Sequence, residues 1–197
     1  MKKYGLIIIL LLSCSCYNEK SGFDKYIFIP DKEDPHLPAY TDFGYNIFGA
    51  KYGNSYFLSS SSSSFGVDYH GGILDFWLSG RQESNTNTTS MSLTFSFPSS
   101  PIYTYQDLVS LSGTSIDLTG ASCNLIMRYE YQKADTLIVS KGHLNFKQAR
   151  ILRIDNEEDR AILSGTFDAQ FLRNALPEVI SNGRFDLGVT GVNYRNE

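Results

Sequence analysis

The chain has 197 residues, of which 14% are aromatic and 19% charged, so it carries enough apolar surface to fold and too little charge to stay disordered. Its formal charge is −4 and no run of lysine and arginine interrupts it, which speaks against nucleic acid as a partner and against electrostatic docking on anionic lipid. Three cysteines are too few for a disulfide framework.

The chain opens on Lys2 and Lys3, then an uninterrupted Leu/Ile run from Leu6 to Leu12, then small residues and two cysteines. This is the basic, apolar and small-residue order of a secretory leader. A spanning helix needs ~20 apolar residues, and this run is far shorter. The cysteines make residues 1–13 a lipoprotein signal. Cys14, preceded by Leu11, Leu12 and Ser13, resembles the lipid-accepting cysteine of a bacterial lipobox, and Cys16 is the alternative. Several acyl chains at one cysteine would hold the protein stably, because each buried CH₂ contributes ~0.8 kcal/mol. Once the leader leaves, 15 basic and 21 acidic residues remain and the charge becomes −6.

Residues 14–42 read as the lipidated cysteine and a flexible tether. "PDKEDPHLP" places three prolines in a polar stretch, and only "YIFIP", Tyr26 to Pro30, looks like an added edge strand. A single domain is expected over residues 43–197, built of strands. "FGYNIFGAKYGNSYFL" predicts a hairpin turning at Gly53-Asn54. A serine run, Ser59 to Ser64, reads as a solvated loop. In "GGILDFWLSG" the expectation is a strand with Trp77 in the core. "SMSLTFSF" alternates, with Met91, Leu93, Phe95 and Phe97 on one face. "YTYQDLVSLSG" predicts one short helix, with Tyr105, Leu108 and Leu111 on one side and Gly113 as its stop. "CNLIMRYEY" puts Cys123, Leu125, Met127, Tyr129 and Tyr131 inward. "TLIVSKGHLNF" and "ARILRI" continue the strands to a charged tip, "DNEEDR". "AILSGTFDAQFL" turns Leu163, Phe167, Ala169 and Phe171 inward and Ser164, Thr166, Asp168 and Gln170 outward. "GRFDLGV" repeats the pattern with Phe185, Leu187 and Val189. About nine short strands, polar turns and almost no helix predict an all-β antiparallel sandwich or barrel.

Two stretches are similar to a known group. "YNIFGAKYGNSYF", Tyr45 to Phe57, resembles the opening strand pair of uncharacterised small lipoproteins of gut Bacteroidetes, through Asn46, Phe48, Gly49 and Ala50. "ILSGTFDAQFL" and "VISNGRFDLGV" resemble their closing pair, a Ser-Gly-Thr-Phe strand followed by Asn-Gly-Arg-Phe-Asp. The resemblance implies an all-β cell-envelope domain anchored by lipid at the outer membrane; it carries over no catalytic residue, because none is assigned in these families. Export to the surface in such bacteria is associated with acidic residues behind the lipidated cysteine. "CSCYNEK" offers Glu19 alone, so the periplasmic and surface faces both stay open. The O-glycosylation signal of these bacteria is similar to "DTL", with Thr136 as acceptor.

Chemistry-bearing patterns are sparse. His36, His70 and His143 have no zinc spacing, no Gly-x-Ser-x-Gly is present, and Cys123 reads as a small core thiol. No catalytic residue, metal site or cofactor is expected. The aromatics are the best lead, because a flat ring offers apolar area to a sugar face. Tyr103, Tyr105 and Tyr69 are the ligand-stacking candidates. The expectation is a lipid-anchored, non-catalytic module that binds or scaffolds, with membrane, glycan or envelope protein as partner and no nucleic acid. The runners-up are a hydrolase with a fold-assembled site and a lipocalin-like carrier.

Overall fold

The computed structural model describes residues 26–196 except 62–63, 84–87, 131 and 155–156, with backbone alone at 157–159. The leader, Cys14, Cys16 and Tyr131 lie outside the described residues. The protein is all-β. In chain order the strands are β1 (Ile47–Tyr52), β2 (Ser55–Ser59), β3 (Phe65–His70), β4 (Ile73–Glu83), β5 (Thr88–Pro98), β6 (Thr114–Asp117), β7 (Asn124–Tyr129), β8 (Asp135–Thr136), β9 (Ile138–Ile154), β10 (Glu157–Arg173), β11 (Leu176–Val189) and β12 (Tyr194–Asn196). Twelve strands replace the expected nine or so. β6, β8 and β12 are four, two and three residues long, too short to print a period of two on the sequence.

The strands form one sheet in the order β6-β9-β10-β11-β1-β2-β4-β5-β7-β8, antiparallel throughout this path and curled into a half-barrel. β3 pairs β4 off the path, and β12 adds to β3 in parallel. β8, at one end of the path, is joined by one residue to β9, the second strand from the other end. β8 runs on through Leu137 into β9, and the Leu137 N–H donates to the Leu125 carbonyl at 2.8 Å. One strand therefore changes partner, from β7 to β10, within three residues.

Alternation decides what lies inside. Phe76 packs its ring 5.4 Å from Phe185, 5.9 Å from Phe146 and 5.9 Å from Phe95, and Phe167 meets Phe95 edge-on at 5.6 Å. Each such ring removed from water contributes ~1.5–3 kcal/mol, so this cluster dominates the core. The inside of the half-barrel is filled by side chains. The β1–β2 hairpin turns at Gly53-Asn54 as predicted, with Gly53 at φ +57° in the first central position. The predicted short helix is a 3₁₀ helix, Tyr105–Leu111. Tyr105, Leu108 and Leu111 are three apart, and a three-residue turn stacks them on one side, against the core. The Asp107 carboxylate accepts the backbone N–H groups of Tyr103 and Thr104 at its start, and Gly113 leaves it at φ +74°.

Three expectations need correction. Trp77 is not in the core: in β4 the inward residues are Leu74, Phe76 and Leu78, and Trp77 alternates onto the outer face. Tyr26 to Pro30 is no edge strand, since Pro30 makes only an isolated bridge to Pro38. Residues 30–42 are not a free tether. Leu37 is fully buried, Asp31 pairs with Arg184 at 2.6 Å, and the Tyr40 hydroxyl meets Ser164 Oγ at 3.0 Å. This strap covers part of the outer face of β10, β11 and β1. Under it Ser164, read as an outward residue, and Asp186 are 0% and 1% exposed. Asp186 accepts from the Thr41 hydroxyl and the Phe43 and Gly44 N–H groups, and Asn46 Oδ1 accepts the Gly188 N–H.

Candidate functional site

A concavity lies on the outer face of β3, β4, β5 and β7, where the half-barrel carries no strap. It is a cleft of about 330 Å³, lined by Asp68, Asp75, Trp77, Ser79, Ser92, Thr94, Ile126 and Arg128, with Ala134 of the β7–β8 loop at its rim. Register explains why these residues meet. Asp68 faces Asp75, Gly66 faces Trp77, Trp77 faces Thr94, Thr94 faces Ile126, Ser79 faces Ser92, and Ser92 faces Arg128. Residues two apart on a strand share a face, so three cross-strand rows build one surface.

Trp77 forms the wall. Its indole lies flat on Gly66, where any Cβ would overlap the ring. Its Nε1–H donates to Asp68 Oδ2 at 3.0 Å. Arg195 of β12 grips the same carboxylate from the other side, with Nε 2.7 Å from Oδ1 and Nη2 2.9 Å from Oδ2. Ring, carboxylate and guanidinium thus brace one another. A paired fork of this kind is both stronger and better oriented than a single bond.

The rest of the cleft is under-used by the protein itself. Asp75 Oδ1 is buried and has no hydrogen-bond partner, while Oδ2 lies 3.4 Å from His70 Nε2. Among the described residues, the hydroxyls of Ser79, Ser92 and Thr94 have no hydrogen-bond partner, and the Arg128 guanidinium has neither hydrogen bond nor ion pair. A dry acceptor without a donor costs ~1–3 kcal/mol, and Asp75, which carries one, is among the residues that line the cleft.

The stacking candidates lie elsewhere. Tyr69 and Tyr103 do meet, edge to face at 5.2 Å, beyond the end of the core. Tyr103 is exposed, and burial, followed by the neighbouring Tyr103 hydroxyl, pushes the Tyr69 phenol up. Tyr105 is partly buried against the core through the 3₁₀ helix and is not part of that pair. None of the three lines the Trp77 cleft. Thr136 is exposed in β8, opposite Ile126. Cys123 is buried, and desolvation pushes its thiol up to about 12. The histidines are dispersed: His36 stacks on Tyr56 at 4.9 Å, His70 ends β3, and His143 faces Asp117 and Asp168 across β9. No group of three metal-ligating side chains occurs among the described residues.

A second cluster sits at one end of the half-barrel. The Tyr129 hydroxyl donates to the Tyr52 hydroxyl at 3.2 Å, Tyr52 donates to the Glu178 carboxylate, and the Arg173 guanidinium covers the Tyr129 ring at 4.3 Å. Burial first, and the Glu178 hydrogen bond next, hold the Tyr52 phenol far above its usual range. These groups tie β1, β7, β10 and β11 together, with Arg173 Nε left buried and without a hydrogen-bond partner.

The alternation that places Trp77 outside is legible in "ILDFWLS" once Leu74, Phe76 and Leu78 are taken as one face. Asp68, Asp75 and Arg128 carry no such signal, because a charged residue on a wet face is the ordinary case. No family model matches the chain, and neither does any curated protein or solved structure.

Proposed function

We propose that the protein is a lipid-anchored module of the bacterial cell envelope that binds glycans in the Trp77 cleft. The observation that carries this reading is the pairing of an indole braced on Gly66 and Asp68 with polar groups left unengaged beside it, Asp75 Oδ1 above all. A pyranose has a face of C–H groups and a rim of hydroxyls. The face takes the indole, which loses little entropy because it is already fixed. The hydroxyls donate to Asp75 and exchange bonds with Ser79, Ser92 and Thr94. The filled half-barrel favours a ligand held on the outside over a carrier's internal pocket. Hydrolysis fits less well. Asp68 and Asp75 are cross-strand neighbours, but both Asp68 oxygens are held by Arg195 and Trp77, which leaves that carboxylate no freedom to pass a proton.

The anchor belongs to the same proposal. Acyl chains on Cys14, or on Cys16, hold the chain in the outer membrane, and the eleven residues between Cys14 and Tyr26 span at most ~40 Å. The strap then presents the unstrapped face for contact. Glycan-array screening of the soluble domain tests the binding. Signals that vanish in Trp77→Ala and survive in Tyr103→Ala with Tyr105→Ala support the cleft, and no signal on any glycan overturns it. Metabolic labelling with a fatty acid, compared in Cys14→Ala and Cys16→Ala, tests the anchor.

A further inference from the structure

We infer that the cleft takes an acidic oligosaccharide, with a carboxylate or sulfate group seated on Arg128 and plain hydroxyls directed at Asp75. This rests on the glycan reading and adds the ligand's charge, length and direction.

The charges of the cleft are unevenly matched. Asp68 is neutralised in place by the Arg195 fork. Asp75 has His70 as its ion-pair contact among the described residues, at 3.4 Å. Arg128 is exposed on β7 and has no ion-pair partner among the described residues, although Glu130 follows two residues later. An unengaged guanidinium keeps its planar fork, and that fork matches the two oxygens of a carboxylate or of a sulfate ester. A lysine-like point charge would lack this fit.

Register gives the spacing. Asp75 and Ser79 are four residues apart on β4, which is ~14 Å, and Arg128 lies two strands further across, ~10 Å. The diagonal from Asp75 to Arg128 is then ~17 Å, with Trp77 and Thr94 in the row between them. That span exceeds a single sugar ring, so both ends are used together only by an oligosaccharide. Its orientation is set by sign. The Asp75 end repels an anionic substituent and accepts hydroxyl protons, and the Arg128 end does the reverse. Thr94, Ser79 and Ser92 line the route between them.

The chain has one tryptophan, so emission from Trp77 reports on the cleft directly. The test is fluorescence titration with three oligosaccharides of one backbone: neutral, uronate-bearing and sulfated. Wild type is expected to bind an acidic form about 10- to 100-fold tighter than the neutral one, the usual worth of a charge-assisted bond. Arg128→Met should erase the ratio between the acidic and the neutral form, and Trp77→Ala should abolish binding of both. The preference should shrink in high salt, because Arg128 is exposed. The uronate and sulfate arms tell which acid is taken. Equal wild-type affinity for neutral and acidic forms, or a preference that persists in Arg128→Met, overturns the inference and leaves the glycan reading standing. Absence of binding to all three, with no array signal, overturns both.

Discussion

Asp186 and Gly44 are 142 positions apart in the chain, yet the Asp186 carboxylate accepts the Gly44 N–H at 2.6 Å. The contact closes the strap over the sheet. Gly44 sits at φ +78°, a conformation glycine reaches without strain, and a Cβ added there would lie 3.3 Å from Ile162 Cγ1, which leaves little room for a side chain. Phe43 and Thr41 donate to the other carboxylate oxygen. Asp186→Ala removes the acceptor from all three and leaves two N–H groups searching for one. We expect a loss of about 3 kcal/mol, read as a lower urea midpoint with unchanged m, and Asp186→Asn should lie between.

If residues 26–42 were only a leash, a chain beginning at Phe43 would melt with the intact domain. The buried Leu37 and the Asp31–Arg184 pair say otherwise. Leu37→Ala alone should cost about 2–5 kcal/mol, as for other fully buried leucines. Calorimetry of the truncated and full domains checks this. Equal melting temperatures would show the strap to be passive.

Gly66 is the floor under Trp77, and a methyl group there overlaps the indole. Gly66→Ala should lift the ring, redden its emission and raise its quenching by acrylamide. Glycan affinity should fall with it, by about tenfold or more if stacking is the main contact. An unchanged emission maximum with full binding would argue against the bracing described here.

The pH dependence has two arms. Burial pushes the Cys123 thiol and the Tyr194 phenol each up to about 12, from 9.0 and 10.0, so the unfolded chain releases these protons first. Stability from them is complete below pH 9 and is lost as pH rises toward 12. Cys123→Ser should flatten the lower part of that fall. The same burial makes Cys123 slow to react with a thiol reagent until urea unfolds the protein. A fast native reaction would contradict the placement.

On the acid side, the Asp31 carboxyl is held below its usual range by the Asp34 and Glu33 N–H groups first, and then by Arg184. A depressed carboxyl gives stability that is present above its unfolded value and lost as pH falls through the folded one. Asp31→Asn should therefore soften the decline below pH ~4, and Arg184→Gln should do so less, since the backbone donors remain. Urea titrations at a series of pH values resolve the two.

The inward faces of β5, β7, β10 and β11 were readable because strand alternation is local. Met91 to Phe97, Leu163 to Phe171 and Phe185 to Val189 obey it, and all the inward residues named there are buried. Gly53-Asn54 was readable for a like reason, since a two-residue hairpin needs φ > 0 from its own glycine. Trp77 faces out because period outweighs bulk and apolarity: Phe76 and Leu78 on either side claim the interior. The strap looks like a tether in the sequence because prolines and charges suit solvent, and nothing local shows that Asp31 will find Arg184.

Local pattern, then, determined the class of fold, the turns and most of the inward side chains, because a residue's face in a strand depends only on its neighbours in the chain. The curled sheet decided the rest. Which outward face is covered and which stays open depends on where residues 30–46 come to lie. Asp68, Trp77, Thr94 and Arg128 share a cleft only because four strands adopt one register, and register is fixed by packing over the whole sheet, not by any one segment.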